Sequence, residues 1–322
     1  MADVITVTTG NVGATGSIAA ALINQLQQKF LDVAKFNVGA LDSLLQQDPI
    51  THAKTKQWNR LEKNAVPTVP SQLEEGVTPP SLGISINKIT AILEQYGDKR
   101  IISELAEFTA SNPVVQGAME TEAIHMAETR HQLIYTVLDA ATNTYRIAGR
   151  ANDNAIQVGD TLSYEEMTKI RKSIVEDGVP RFANGNLRAV IPTATYTSLL
   201  NDADWKENNK YDRPEALRTG YVGTLGNIDI MESDSDDFVA TASTTGGNSN
   251  AIHTGFVCGR GWAAVTSLDS ADKKLYMKAP GYGDDLLEQR FQIGWKLTFK
   301  SVILNQTFGL RFRASAHDAG AV

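Results

Sequence analysis

The most regular apolar pattern in the chain lies between Pro113 and Thr142. There Val115, Met119, Ala123, Met126, Leu133 and Val137 recur at helical spacing. Asn112 can cap the start, and Pro113 occupies the first helical position, where its missing N–H costs nothing. At 1.5 Å per residue the segment spans about 45 Å, far beyond the usual 11 or 12 residues of a globular helix, and it reads as a spine. A second amphipathic stretch follows Ser17, with Ile18, Leu22, Leu26, Phe30 and Val33 on one face. A glycine-rich leader precedes it, so it is either a docked arm or the first core helix. Ser163 and Glu166 form a capping box ahead of Met167, Ile170 and Ile174, and Gly178 with Pro180 ends that helix.

Two-fold alternation marks the strands. Ile84 and Ile86 alternate, then Ile89, Ala91 and Leu93 continue in the opposite phase, a slip that predicts a β-bulge. Leu187–Ile191 reads as a strand leading into a helix begun at Pro192, and Phe291–Arg313 reads mostly as strands. Thr241–Asn250 reads as an exposed Thr/Gly/Asn loop. Five of the ten prolines (Pro49, Pro67, Pro70, Pro79, Pro80) cluster between positions 49 and 80. Proline removes a donor and disfavours helix before it, so this region is extended. A long structureless loop is unusual inside a compact domain, which predicts a protruding two-stranded loop whose packing partners lie elsewhere. Helices and strands mix without a regular βαβ repeat, so the expected class is α+β.

Composition narrows the function classes. The 322 residues are 42% hydrophobic, enough for one large domain or two modest ones. No run of about 18 apolar residues occurs, which predicts no membrane-spanning helix, and Met1–Val4 offers no secretory n-region or h-region. The single cysteine, Cys258, forms no internal disulfide or cysteine-rich metal site and reads as a small buried apolar residue suited to a reducing cytoplasm. A net charge of −7 with interspersed signs argues against a dedicated nucleic-acid binder, although such a protein can still face DNA weakly.

The motifs that could carry chemistry dissolve on inspection. Glu122/His125 and Glu128/His131 both have the Glu-x-x-His spacing of di-iron sites. They lie on one helix six residues apart, a rotation of about 240°, so they cannot face one metal and read as solvated charges on its polar face. Gly10–Gly16 has neither the G-x-G-x-x-G spacing nor a P-loop lysine and reads as flexible leader. Asp234–Asp237 lacks the glycine and distal glutamate of a calcium loop, though weak calcium binding stays open. Pro67-Thr68-Val69-Pro70 fits a PxxP ligand, and a stiff extended loop explains it equally. His52, His125, His131, His253 and His317 stand in no catalytic context, and no G-x-S-x-G elbow is present.

Four short stretches, in order, carry a resemblance. They are Glu74-Glu75-Gly76-Val77-Thr78-Pro79; then Gln95-Tyr96-Gly97-Asp98 with Ser103-Glu104-Leu105; then Tyr221–Glu232 with Gly223 and Gly226; and finally Leu287-Glu288-Gln289-Arg290 with Gly294-Trp295-Lys296 and Ile303-Leu304-Asn305. Over roughly Ala65–Phe312 the chain resembles a family of tailed-bacteriophage major capsid proteins, similar to the Hong Kong 97-like capsid fold, also called the Johnson fold.

The resemblance implies an N-terminal arm with its amphipathic helix in residues 1–60 and an extended loop in 61–89. It implies a peripheral domain in 90–158 and 281–313 around a spine helix 113–142, an axial domain in 159–280, and a tail in 314–322. The implied function is a structural subunit, not an enzyme, that self-assembles into pentamers and hexamers of an icosahedral head around double-stranded DNA. No catalytic, cofactor-binding or metal site is expected. Assembly contacts are expected at Pro67, Pro70, Glu74, Glu75, Leu22 and Phe30. The chain itself would be the main partner, joined by scaffolding, portal and decoration proteins and by packaged DNA held non-specifically, in a virion assembled in the host cytoplasm, with no membrane partner. An encapsulin-like compartment and a soluble enzyme of unrecognised type are the alternatives. Nothing specific is recognised in residues 1–60 or in the tail.

Overall fold

A computed structural model describes residues 39–62, 75–78, 83–109, 114–157, 159–212, 223–233, 239–243, 250–268, 273–281, 285 and 287–315. The chain divides into two compact units. Tyr96–Thr129 and Lys273–Leu297 belong to the first; Gly39–Gln95, Arg130–Asp272 and the chain from Thr298 belong to the second. Helices and strands alternate irregularly, as the α+β reading requires.

The first unit pairs β12 (Lys273–Lys278) antiparallel with the first half of β13 (Arg290–Ile303), and β4 (Glu94–Ser103) lies on the other side of β13. Close approach of β4 depends on two glycines. A Cβ at Gly97 would sit 2.6 Å from the Trp295 carbonyl oxygen, and one at Gly294 would sit 2.9 Å from the Asp98 carbonyl oxygen. Leu275, Ile293, Trp295, Leu297 and Ile102 are buried, and His125 meets Trp295 edge-on at 5.5 Å between ring centroids. His125 belongs to the helix Val114–Asp139, whose buried positions in this unit are Ala118, Met119, Glu122, Ala123, Met126 and Ala127.

That helix confirms the stripe at Met119, Ala123 and Met126 and departs from it further on. Burial continues through Arg130, Ile134 and Leu138 by i, i+4 steps, which leaves Leu133 and Val137 half-buried at the margin. The helix stops at Asp139, before Thr142, because the Ala141 N–H closes onto the Leu138 carbonyl and the Thr142 N–H bonds the Gln306 side chain. The reading of its Glu-x-x-His residues as solvated is corrected in half. His125 and Glu128 are exposed, whereas Glu122 is only 2% exposed and His131 is buried. Arg100 Nε, 2.8 Å from Glu122 Oε1, makes that burial tolerable.

The second unit is organised by a seven-stranded mixed sheet. Its order is β5 (Thr144–Arg146), β14 (Gly309–Ser315), β10 (Asn250–Cys258), β6 (Leu187–Pro192), β8 (Ile228–Ser233) and β7 (Thr224–Leu225), with β9 (Val239–Ser243) also on β10. β10 runs antiparallel to β14 and β6, while β6 and β8 are parallel, joined by a crossover containing helices Thr193–Asn201 and Ala203–Asp212. The helix Tyr164–Glu176 covers the sheet with Met167, Ile170 and Ile174 against Leu187, Ile191, Ile228, Val257 and Phe312. Its cap is the expected one, with Ser163 Oγ accepting from the Glu166 N–H at 3.3 Å and Gly178 at φ 69° ending the helix. The Glu166 carboxylate instead takes the Tyr145 hydroxyl and Lys169, each at 2.8 Å. Gly226 and Asn227, both at positive φ, form the two-residue turn between β7 and β8. The expected Thr241–Asn250 loop is shorter, because Thr241–Ser243 and Asn250 are drawn into the β9–β10 pairing; residues 244–249 lie outside the described residues.

Elsewhere in this unit β1 (Leu45–Gln47) pairs parallel with β11 (Ala263–Ser267), which pairs antiparallel with the far end of β13. β2 (Thr55–Leu61) and β3 (Ile86–Ile92) form a separate two-stranded ladder. Its seven cross-strand pairs run without a break from Thr55↔Ile92 to Leu61↔Ile86, so the bulge expected near Ile84–Leu93 is absent from this ladder. The phase slip has another origin. Ile89 and Ala91 face the body, whereas Ile86 and Ile92 face outward, so β3 is apolar on both sides.

Candidate assembly surfaces

The β2–β3 ladder is fastened on one face only. Asp48 sits beneath it, its Oδ1 2.9 Å from Lys56 Nζ and its Oδ2 accepting from the Trp58 indole N–H at 2.7 Å. Partial burial pushes the Asp48 carboxyl up, but those two donors outweigh it and hold the carboxyl below its ordinary value. Arg60 donates to the Leu304 carbonyl at 3.1 Å, and the Leu93 N–H bonds the Lys54 carbonyl. Lys56, Trp58 and Arg60 are accordingly half-buried.

The opposite face carries Thr55, Gln57, Asn59, Leu61, Ile86, Lys88, Thr90 and Ile92, and every one is exposed. Leu61 is 68% exposed and the adjoining Ile84 78%, while Val77, near the Gly76 turn, is also bare. Leu61 and Ile86 at one end of the face and Ile92 at the other thus leave large aliphatic side chains in water. A second concentration lies in the first unit, where Leu105 and Phe108 of the helix Glu104–Thr109 are bare together with Ile101 and Leu287. The Glu104 N–H bonds the Gln289 carbonyl at 2.8 Å, which brings that helix to the Leu287–Arg290 segment.

Two of the four stretches that carried the resemblance therefore meet in space. Gly97-Asp98 packs on Gly294-Trp295, and Glu104 bonds Gln289. The Leu287–Arg290 segment is shaped by Asp285, whose buried carboxylate accepts from the N–H groups of Gln289, Arg290 and Gly281. Desolvation raises that carboxyl, and the three donors overcome it and lower it. Leu304 and Asn305 both donate to the Trp262 carbonyl. Of the expected contact residues, Glu75 is exposed beside the Gly76 turn, and Leu22, Phe30, Pro67, Pro70 and Glu74 lie outside the described residues. Leu61, Ile84, Ile86, Leu105, Phe108 and Leu287 were not anticipated as contact residues; for Ile86 the sequence signal is an aliphatic residue out of phase with the buried Ala91.

Among the described residues, burial moves two potentially reactive groups away from their reactive forms. Burial pushes the Cys258 thiol strongly up, away from the reactive thiolate. Burial and the Glu166 carboxylate push the Tyr145 phenol up to about 12. Among the described residues no cluster of His, Cys, Asp or Glu could hold a metal ion, and no helix is long and apolar enough to cross a membrane.

No family model matches the sequence, and no curated protein matches it. Solved structures do. The chain is similar to the capsid structure of the cyanophage P-SCSP1u, with 16% identity, a TM-score of 0.63, and 85% of this chain and 87% of that one covered. It is similar to the capsid of Ralstonia phage GP4, with 12% identity, a TM-score of 0.65, and 87% and 89% covered. It is similar to the capsid structure of Helicobacter pylori bacteriophage KHP30, with 10% identity, a TM-score of 0.62, and 98% and 95% covered. The chain has the α+β fold of phage capsid proteins.

Proposed function

We propose that this chain is the major capsid protein of a tailed bacteriophage, a structural subunit that assembles with copies of itself into pentamers and hexamers of an icosahedral head enclosing double-stranded DNA. The observation that carries the reading is the combination of a capsid fold over most of the chain with a ladder whose outward face leaves Leu61, Ile86 and Ile92 bare. In this reading the segment around β2 and β3, including residues 61–89, is the extended loop that reaches a neighbouring subunit. The helix Val114–Asp139 is the spine of the peripheral domain, residues 159–280 form the axial domain, and residues 1 to about 40, ahead of β1 and β2, supply an N-terminal arm. The subunit works through burial rather than catalysis. Each interface is modest, and closure of the shell multiplies it.

Size-exclusion chromatography of the expressed chain, with negative-stain microscopy of the earliest fraction, tests this. Shells, tubes or capsomer rings are expected. A chain that stays monomeric or dimeric at high concentration, with and without crowder, would overturn self-assembly by the chain alone. Removing residues 1–40 is expected to leave a folded, assembly-defective subunit; normal shells from that truncation would remove the arm from the account.

A further inference from the structure

We infer that the solvent face of the three-stranded sheet in the first unit binds the phosphate backbone of double-stranded DNA, without reading its sequence; as the lining of a shell this rests on the capsid reading above. Strand alternation sorts the side chains of β4, β12 and β13 onto two faces. Leu275, Ile293, Trp295, Leu297 and Ile102 take the buried face, and Arg100 and Asp98 turn with them toward Glu122 and His125 of the long helix, at 2.8 and 4.0 Å. The other face presents Lys274, Tyr276 and Lys278 from β12, Arg290, Gln292, Gly294 and Lys296 from β13, and Gly97, Lys99, Ile101 and Ser103 from β4.

Those strand positions carry Lys99, Lys274, Lys278, Arg290 and Lys296 and no carboxylate, in a chain whose net charge is −7. Lys274 lies directly opposite Lys296 in the β12–β13 register. A Cβ at Gly294 would lie 3.4 Å from Lys99 Cβ, so Lys99 stands beside that position on the same face. Like charges directly opposite one another destabilise a sheet, and the repulsion is relieved when an anion bridges them. Gly97 and Gly294 add no side chain to the middle of the face, where Tyr276 lies opposite Gly294. An extended basic surface suits a repeating phosphate backbone, which exchanges condensed counter-ions for lysine and arginine. Such contacts are weak, salt-sensitive and blind to sequence, which fits a molecule that is acidic as a whole.

The test is fluorescence anisotropy of the unassembled full chain with a labelled duplex of about 30 base pairs, titrated at salt from about 50 to 200 mM. The unaltered chain is expected to bind in the non-specific range, with a dissociation constant of about 10⁻⁶ to 10⁻⁴ M. Lys274→Gln/Lys296→Gln is expected to melt like the unaltered chain and to reduce the steepness of log K against log salt by about 1.8, roughly 0.9 for each phosphate that is no longer neutralised. Lys172→Gln/Lys206→Gln, exposed lysines of the second unit, is expected to leave the slope unchanged. No binding at low salt, or equal slopes for both double variants, would overturn the inference. So would a Lys274→Gln/Lys296→Gln chain that binds duplex normally but no longer forms particles, since that outcome assigns the face to an acidic protein surface. Microscopy of the same samples keeps the two readings apart. Particles without duplex binding overturn this inference alone, and duplex binding without particles overturns the capsid reading alone.

Discussion

Two antiparallel ladders of the second unit, β10–β14 and β2–β3, each contain seven cross-strand pairs, yet they are held in opposite ways. In β10–β14 nearly every side chain is buried, with Phe256, Val257, Cys258, Leu310 and Phe312 enclosed between covering elements. In β2–β3 the outward face is wholly exposed and the inward face is tied mainly by Asp48 and Arg60. Backbone pairing is the same in kind, so it cannot account for the difference. A two-stranded ladder alone is marginal in water, and what stabilises one here is what lies against its faces. The first ladder is buried within the chain; the second leaves Leu61, Ile86 and Ile92 in water.

Changes in the buried ladder should act on the fold. Phe312→Ala removes a fully buried ring and is expected to cost about 3 to 5 kcal/mol in denaturant unfolding. A loss below about 1 kcal/mol would mean the site collapses around the gap and the ladder is less rigid than its burial implies. Changes at the anchor should act locally. Asp48→Ala is expected to cost about 1 kcal/mol and to speed hydrogen exchange at Ile86–Ile92 while the β10–β14 amides stay protected. Equal acceleration in both ladders would erase the distinction.

Acid offers a smaller, graded perturbation of the buried ladder. His253 on β10 has its imidazole pushed below the ordinary value of 6.5 by burial. The unfolded chain therefore takes up this proton first as pH falls, so the contribution is intact above about 6.5 and is lost progressively below it. His253→Gln should flatten the melting-temperature profile in that window; an unchanged slope would assign the acid sensitivity to other groups. The smallest effect on folding belongs to the outward face. Leu61→Ser with Ile86→Ser is expected to shift unfolding by no more than about 0.5 kcal/mol, because both side chains stay more than half exposed in the fold.

How far this was legible in the sequence follows range. The Ser163 cap, the Met119–Met126 stripe and the strands after Arg290 are decided by neighbours a few residues apart, and each could be read directly. Glu122 could not, because its neutralising Arg100 lies on another element 22 positions away in sequence. The ladder was anticipated as a two-stranded loop, but its pairing of Thr55–Leu61 with Ile86–Ile92 was not, and an apolar strand exposed on one side was mistaken for a bulge. The cationic face was invisible for the same reason. Lys99, Lys274 and Lys296 converge only once β4, β12 and β13 are aligned. The resemblance did better because it rests on short strings, two of which meet in the fold, Gly97 on Trp295 and Glu104 on Gln289.

The most direct measurement is negative-stain microscopy of the Leu61→Ser/Ile86→Ser chain beside the unaltered chain, with melting recorded on both. Matched melting is expected, with closed shells or capsomer rings from the unaltered chain and none from the variant. Identical particles from both would contradict it, since the bare face of the β2–β3 ladder would then have no part in joining subunits.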